Sequence, residues 1–149
     1  MTRDNPKFVA HEDAESLANA VGMASIAWSV VDQSWRTTEP GQETPNQIGN
    51  EYLALRLWLA LVYVGLDTWH DISHKYPSES LSRYWEDPMR DKLRLLRNKT
   101  FHHGGSLLPK AVADFWDQPD AIRWASDVLT AISEITAQHF LGWDDMNRR

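Results

Sequence analysis

The chain has 149 residues, 42% hydrophobic and 24% charged, with a formal net charge of −6, which is the make-up of one soluble globular domain able to bury its own core. It contains no cysteine, which excludes a disulfide scaffold, a thiolate metal site and cysteine nucleophilic catalysis. Eight tryptophans are a heavy load for this length and promise a bulky aromatic core or an aromatic interface.

Residues 1–11 read as a flexible tail. The N-terminal stretch mixes Arg3, Asp4, Lys7, Glu12 and Asp13 with few apolar residues, so it lacks the apolar centre of a signal peptide and a cytoplasmic location is expected. From residue 12 to 35, Leu17, Val21, Ala24, Trp28, Val31 and Trp35 recur at spacings of three and four, one stripe down a first helix. Pro40, Gly41, Pro45 and Gly49 then predict a polar connection over 37–49.

A second helix is expected over 50–73, with Asn50 as N-cap and a centre, 53–69, apolar nearly all round. That run is 17 residues long and carries Arg56, whereas a bilayer takes roughly 20 apolar residues, so it reads as a buried helix or half of a subunit interface and no membrane is expected. Tyr76-Pro77-Ser78 breaks the pattern. Asp87-Pro88 opens a third helix as N-cap and first helical residue, with Met89, Leu93, Leu96 and Thr100 on one side and Gly104-Gly105 as its stop.

A short helical turn over 109–116 precedes a last helix opened by Gln118-Pro119-Asp120. There Ile122, Ala125, Val128, Leu129, Ile132, Ile135 and Phe140 follow a 3.6-residue period, with the end at or after Gly142 and a flexible tail over 144–149. No alternating strand pattern or internal repeat is present. The expected fold is all-α: four main helices plus one or two short ones in an up-down bundle forming a single domain, 1–149.

Chemistry concentrates at the end of the third helix. Residues 88–103 hold Arg90, Lys92, Arg94, Arg97 and Lys99 against Asp91 alone, a segment of +4 that leaves −10 on the rest of the chain. Arg90, Arg94 and Arg97 fall within about 60° on a helical wheel, a basic stripe beside the core side. Arginine offers a permanent forked cation suited to phosphate, and His102 and His103 can hold or release a proton near neutral pH. On one straight helix Arg97 and His102 diverge by about 140° and lie roughly 7.5 Å apart along the axis, so a distorted last turn or a second subunit has to close the gap.

The run Arg97-Asn98-Lys99-Thr100-Phe101-His102 resembles the arginine, polar residue, short spacer, histidine motif of HEPN domains. The resemblance implies a helical bundle, a homodimer and often a metal-independent endoribonuclease of toxin or defence type with no cofactor. It would make Arg97 the ligand of the scissile phosphate, Asn98 its orienting neighbour and His102, preceded by Phe101, the general acid or base, with His103 as the alternative proton carrier; Arg90, Arg94, Lys99 and His103 are the candidate binding residues of the basic face. It also allows a protein partner such as an antitoxin, and a non-catalytic binding or assembly module as the alternative role. Read from the residues alone, the same stripe is a solvated or salt-bridged helix face, and the two histidines are caps for the last carbonyls.

Asp67, His70, Asp71 and His74, at i, i+3, i+4 and i+7 near the end of the second helix, are an alternative set of metal ligands. They would need a further ligand from His102, His103 or His139; the simpler reading is an exposed helix end. Ser25, Ser73 and Ser106 have no evident base and acid partners, so a serine triad is not expected. Trp28, Trp35, Trp58, Trp69, Trp116 and Trp124 fall in or beside apolar stripes and are expected in the core or an interface.

Overall fold

The computed structural model describes residues 6–102 and 110–147. Six helices follow in order: α1 (Pro6–Thr37), α2 (Pro45–Ile72), α3 (Glu79–Glu86), α4 (Pro88–Phe101), α5 (Lys110–Trp116) and α6 (Ala121–Asn147). Among the described residues there is no strand, and no helix is long and apolar enough to cross a membrane. The all-helical expectation holds, with α3 and α5 as the two short elements.

α1 buries Leu17, Ala20, Ala24, Ala27 and Val31, mostly small side chains that let α2 approach closely. The two helices run antiparallel: Ser34 meets Glu51, Trp28 packs on Trp58 with ring centroids 4.8 Å apart, and Lys75, just beyond α2, pairs with Asp13 at 2.9 Å. Trp35, expected in the stripe, is 52% exposed, because the polar Ser34–Glu51 contact occupies that end of the helix pair.

α2 begins five residues before the expected Asn50. Thr44 is its cap: the Gln47 N–H donates to the Thr44 hydroxyl at 3.3 Å, and the Thr44 N–H donates to the Gln47 side chain at 2.8 Å. Pro45, read as part of the connection, serves as the first helical residue, where its missing N–H costs nothing. In the C-terminal half of α2, Gly65 is where α1 and α6 converge, since a Cβ there would lie 3.1 Å from Ile132 Cδ1 and 3.8 Å from Ala20 Cβ.

α3 starts at Ser78, whose hydroxyl accepts the Leu81 N–H at 3.2 Å, and it inserts Leu81 into the core. Asp87 then caps α4 as expected, accepting the Met89 N–H at 2.8 Å, while its other carboxylate oxygen accepts the Trp124 indole N–H of α6 at 3.1 Å. Asp87→Ala is expected to lose about 2–3 kcal/mol in urea unfolding, roughly 1 from the cap and the remainder from the indole donor left without an acceptor. Asp87→Asn should recover only the cap, because one amide cannot offer acceptors to both donors.

α4 ends at Phe101, earlier than the expected stop at Gly104-Gly105; these glycines and His103 lie outside the described residues. Side chains close the helix instead. Thr100 donates to the Leu96 carbonyl at 2.8 Å, and the Arg56 guanidinium of α2 donates to the Lys99 carbonyl and to the Thr100 hydroxyl, the latter at 2.9 Å. α6 continues past Gly142 to Asn147, and α1 starts at Pro6, so residues 6–11 and 144–147, read as tails, carry helical backbone. All six helices contribute to one core, with Trp58, Trp69 and Phe115 among its largest buried side chains.

Candidate functional site

The antiparallel pairing of α2 and α4 positions the basic stripe. Arg56 meets Lys99 and Thr100 at one end, and Arg97 lies over Tyr63 one level further on, its Cζ 5.9 Å from the ring centroid. At the other end Arg90 sits over Trp85 of α3, 4.6 Å from its centroid, while His70 of α2 stacks on the same indole at 3.7 Å and 9°. The aspartate-histidine end of α2 and the arginines of α4, two separate groups in the sequence, are therefore neighbours in space.

Tyr63 links them. Burial is the main cause holding its hydroxyl above the usual tyrosine range; Asp67 adds to this, and Arg90, Arg94 and Arg97 oppose it. A buried phenol sensing three guanidinium groups marks a concentrated positive field beside an acidic one.

Arg97 is half-buried, and its Nη1 donates to Asn98 Oδ1 at 2.9 Å. That contact joins two of the three motif residues. Arg97 Nε is buried and has no hydrogen-bond partner among the described residues, and the same is true of Arg90 Nε. Both are donors whose desolvation an anionic oxygen would offset. Arg94, the most exposed of the three, lies 3.8 Å from Asp91, while Arg90 approaches the same carboxylate at 3.3 Å; Asp91 is over half exposed, so these pairings are weak.

His102 is exposed and forms the C-cap of α4, with its backbone at φ −101°, ψ 109° and its N–H donating to the Asn98 carbonyl at 3.0 Å. The chain leaves helical geometry at this residue, so the straight-helix wheel does not describe its direction. Within one protomer no side-chain hydrogen bond joins His102 to Arg97 or Asn98 among the described residues. Lys99 is exposed beside it, and His103 lies outside the described residues.

The alternative metal set is spread out. Among the described residues no three His, Asp or Glu side chains converge. His70 is committed to stacking on Trp85, and Asp71 and His74 are exposed.

An apolar strip accompanies the stripe. Met23, Ile26 and Val30, spaced by three and four on α1, are exposed, Ile26 by 68%, and so are Leu53 and Leu57 of α2 and Phe101 of α4. The Ser34–Glu51 and Trp28–Trp58 contacts set Val30 and Ile26 level with the Leu53–Leu57 turn, and the Arg56–Thr100 bond sets Phe101 at that level too. On the three helical wheels these six residues, Arg94 and the outer edge of Arg97 point to one side of the bundle. This face is apolar at one end and cationic at the other.

Arg56, Tyr63 and Trp85 contribute to this region without having been singled out as site residues. A charge set inside a run apolar all round is the one sequence signal that pointed to Arg56, since such a group is buried only with partners.

Comparison with known protein families, with curated proteins and with solved structures gives no match to this chain. Fold and site together define an all-helical protein with a paired apolar and basic face.

Proposed function

We propose that this chain acts as a symmetric homodimer of the HEPN type that binds single-stranded RNA along α4 and cleaves it without a metal. The observation that supports this reading is the adjacency of the exposed apolar strip, Met23, Ile26, Val30, Leu53, Leu57 and Phe101, to the arginine stripe and to His102. Contiguous exposed apolar side chains of this kind suit burial against a partner, and a two-fold pairing through them sets the α4 ends of two copies side by side. Arg97 and His102, unconnected in one protomer, would then meet across the interface.

In that site Arg97 and Asn98 hold the scissile phosphate. His102 of one copy takes the proton of the ribose 2′-hydroxyl, the 2′-oxygen attacks phosphorus beside Arg97 of the other copy, and the 5′-oxygen leaves with a proton from water. The products are a 2′,3′-cyclic phosphate and a 5′-hydroxyl. A toxin or defence role in the cytoplasm, with an antitoxin covering the basic face, fits such an enzyme.

A second reading is a non-catalytic helical module that binds a protein or nucleotide through the same face. It is favoured by the exposed position of His102 at a helix cap, where a histidine serves the last carbonyls without any chemistry. Incubation of the purified protein with single-stranded RNA in EDTA separates the two. Wild type is expected to cleave, and His102→Ala to slow cleavage about 10²–10⁴-fold while light scattering still finds a dimer. Intact RNA at high wild-type concentration sinks the enzyme reading.

A further inference from the structure

The stack of His70, Trp85 and Arg90 has no part in the cleavage step, yet it continues the basic stripe away from Arg97. Seven residues, about 10 Å along the helix axis, separate Arg97 from Arg90, with Arg94 between them. The indole of Trp85 carries the His70 ring, parallel to it at 3.7 Å, and the Arg90 guanidinium at 4.6 Å. His70 is exposed, and its ring nitrogens make no hydrogen bond among the described residues. A flat ring backed by an indole, open to solvent and flanked by cations, combines the two things a single strand offers: a base with a π-face and a chain of phosphates.

We infer that His70, supported by Trp85, is a base-stacking subsite for a nucleotide of single-stranded RNA flanking the bond held at Arg97, with Arg94 and Arg90 taking the adjoining phosphates. This deepens the proposed function and rests on its reading of Arg97 as a phosphate ligand. The Arg90 and Arg94 pairings with Asp91 are long, so a phosphate oxygen can replace them at little loss. A duplex cannot use the subsite, because its bases are already stacked and paired. The strand must therefore be unpaired there, which makes the stack a determinant of single-strand preference.

The test separates binding from cleavage by using a fluorescein-labelled single strand that is 2′-O-methylated throughout and so lacks the attacking hydroxyl. A second strand of equal length carries abasic sites at alternate positions and the same number of phosphates. Fluorescence anisotropy is expected to give tighter binding to the intact strand, and His70→Ala should weaken that binding about 5- to 150-fold, with His70→Tyr restoring most of it. His70→Ala should hardly change binding of the abasic strand. Equal affinity of wild type and His70→Ala for the intact strand, no preference over the abasic strand, or no binding by wild type would each overturn the subsite. Failure of the ribonuclease reading is seen independently, as unchanged cleavage of ordinary RNA by His102→Ala.

Discussion

Mixed dimers formed from Arg97→Ala and His102→Ala protein should regain RNA cleavage that neither variant has alone. Each substitution removes one half of a site that a single protomer does not assemble: the Arg97 guanidinium is tied to Asn98 and lies over Tyr63, whereas the exposed His102 side chain at the α4 cap has no hydrogen bond to any of these side chains among the described residues. If the phosphate ligand comes from one copy and the proton carrier from the other, every site in a homodimer of either variant is defective. A mixed dimer has one intact composite site. Random exchange makes half of all dimers mixed, so activity should return to about a quarter of the wild-type value. Each variant alone should fall about 10²–10⁴-fold, the usual worth of a positioned acid-base group or of a cationic clamp on the developing charge. The measurement is single-turnover cleavage before and after subunits are exchanged in mild denaturant. Recovery absent from a mixture that native mass spectrometry shows to be half mixed would place both residues in the same protomer's site or in none.

Arg56→Ala should cost about 2–4 kcal/mol and loosen the end of α4 that carries the motif. The guanidinium is 9% exposed and holds the Lys99 carbonyl and the Thr100 hydroxyl, two groups of a helix terminus that has no glycine cap within its described residues. Charge-assisted hydrogen bonds of this kind are worth roughly 1.5–3 kcal/mol, and the buried aliphatic stem adds packing that alanine lacks. Arg56→Lys should be nearly as damaging, because one ammonium on a flexible stem cannot reproduce a planar fork. Urea unfolding gives the magnitude. Hydrogen exchange gives the place: the His102 amide, bonded to the Asn98 carbonyl at 3.0 Å, should lose protection at denaturant levels where α6 keeps its own. Uniform loss of protection would mean that Arg56 stabilises the bundle as a whole rather than this terminus.

Helix order was legible in the sequence because apolar spacing and local capping are both short-range signals. The 3.6-residue stripes gave the buried Leu17, Ala24 and Val31 of α1 and the Ala125, Val128 and Ile132 of α6, and Asp87-Pro88 marked the start of α4 to the residue. Boundaries failed where the deciding contact was less visible. Thr44 displaced Asn50 because a reciprocal Thr–Gln pair makes Pro45 an opening residue, and at the Phe101 end of α4 an arginine 43 residues away in sequence holds the Lys99 carbonyl.

The site divides along the same line. Composition and spacing by themselves determined that the chain is helical and that its positive charge gathers on one helix, while a motif resemblance singled out Arg97, Asn98 and His102. Only the tertiary structure decided what stands beside them. It tied Arg97 to Asn98 and Tyr63, turned His102 out at a cap, set the arginines next to a Trp85–His70 stack, and aligned an exposed apolar strip on the same face. The reason is range: periodicity and caps are fixed by neighbours within a turn or two, whereas an interface or a site is fixed by which faces of distant helices pack together, and that depends on the whole core.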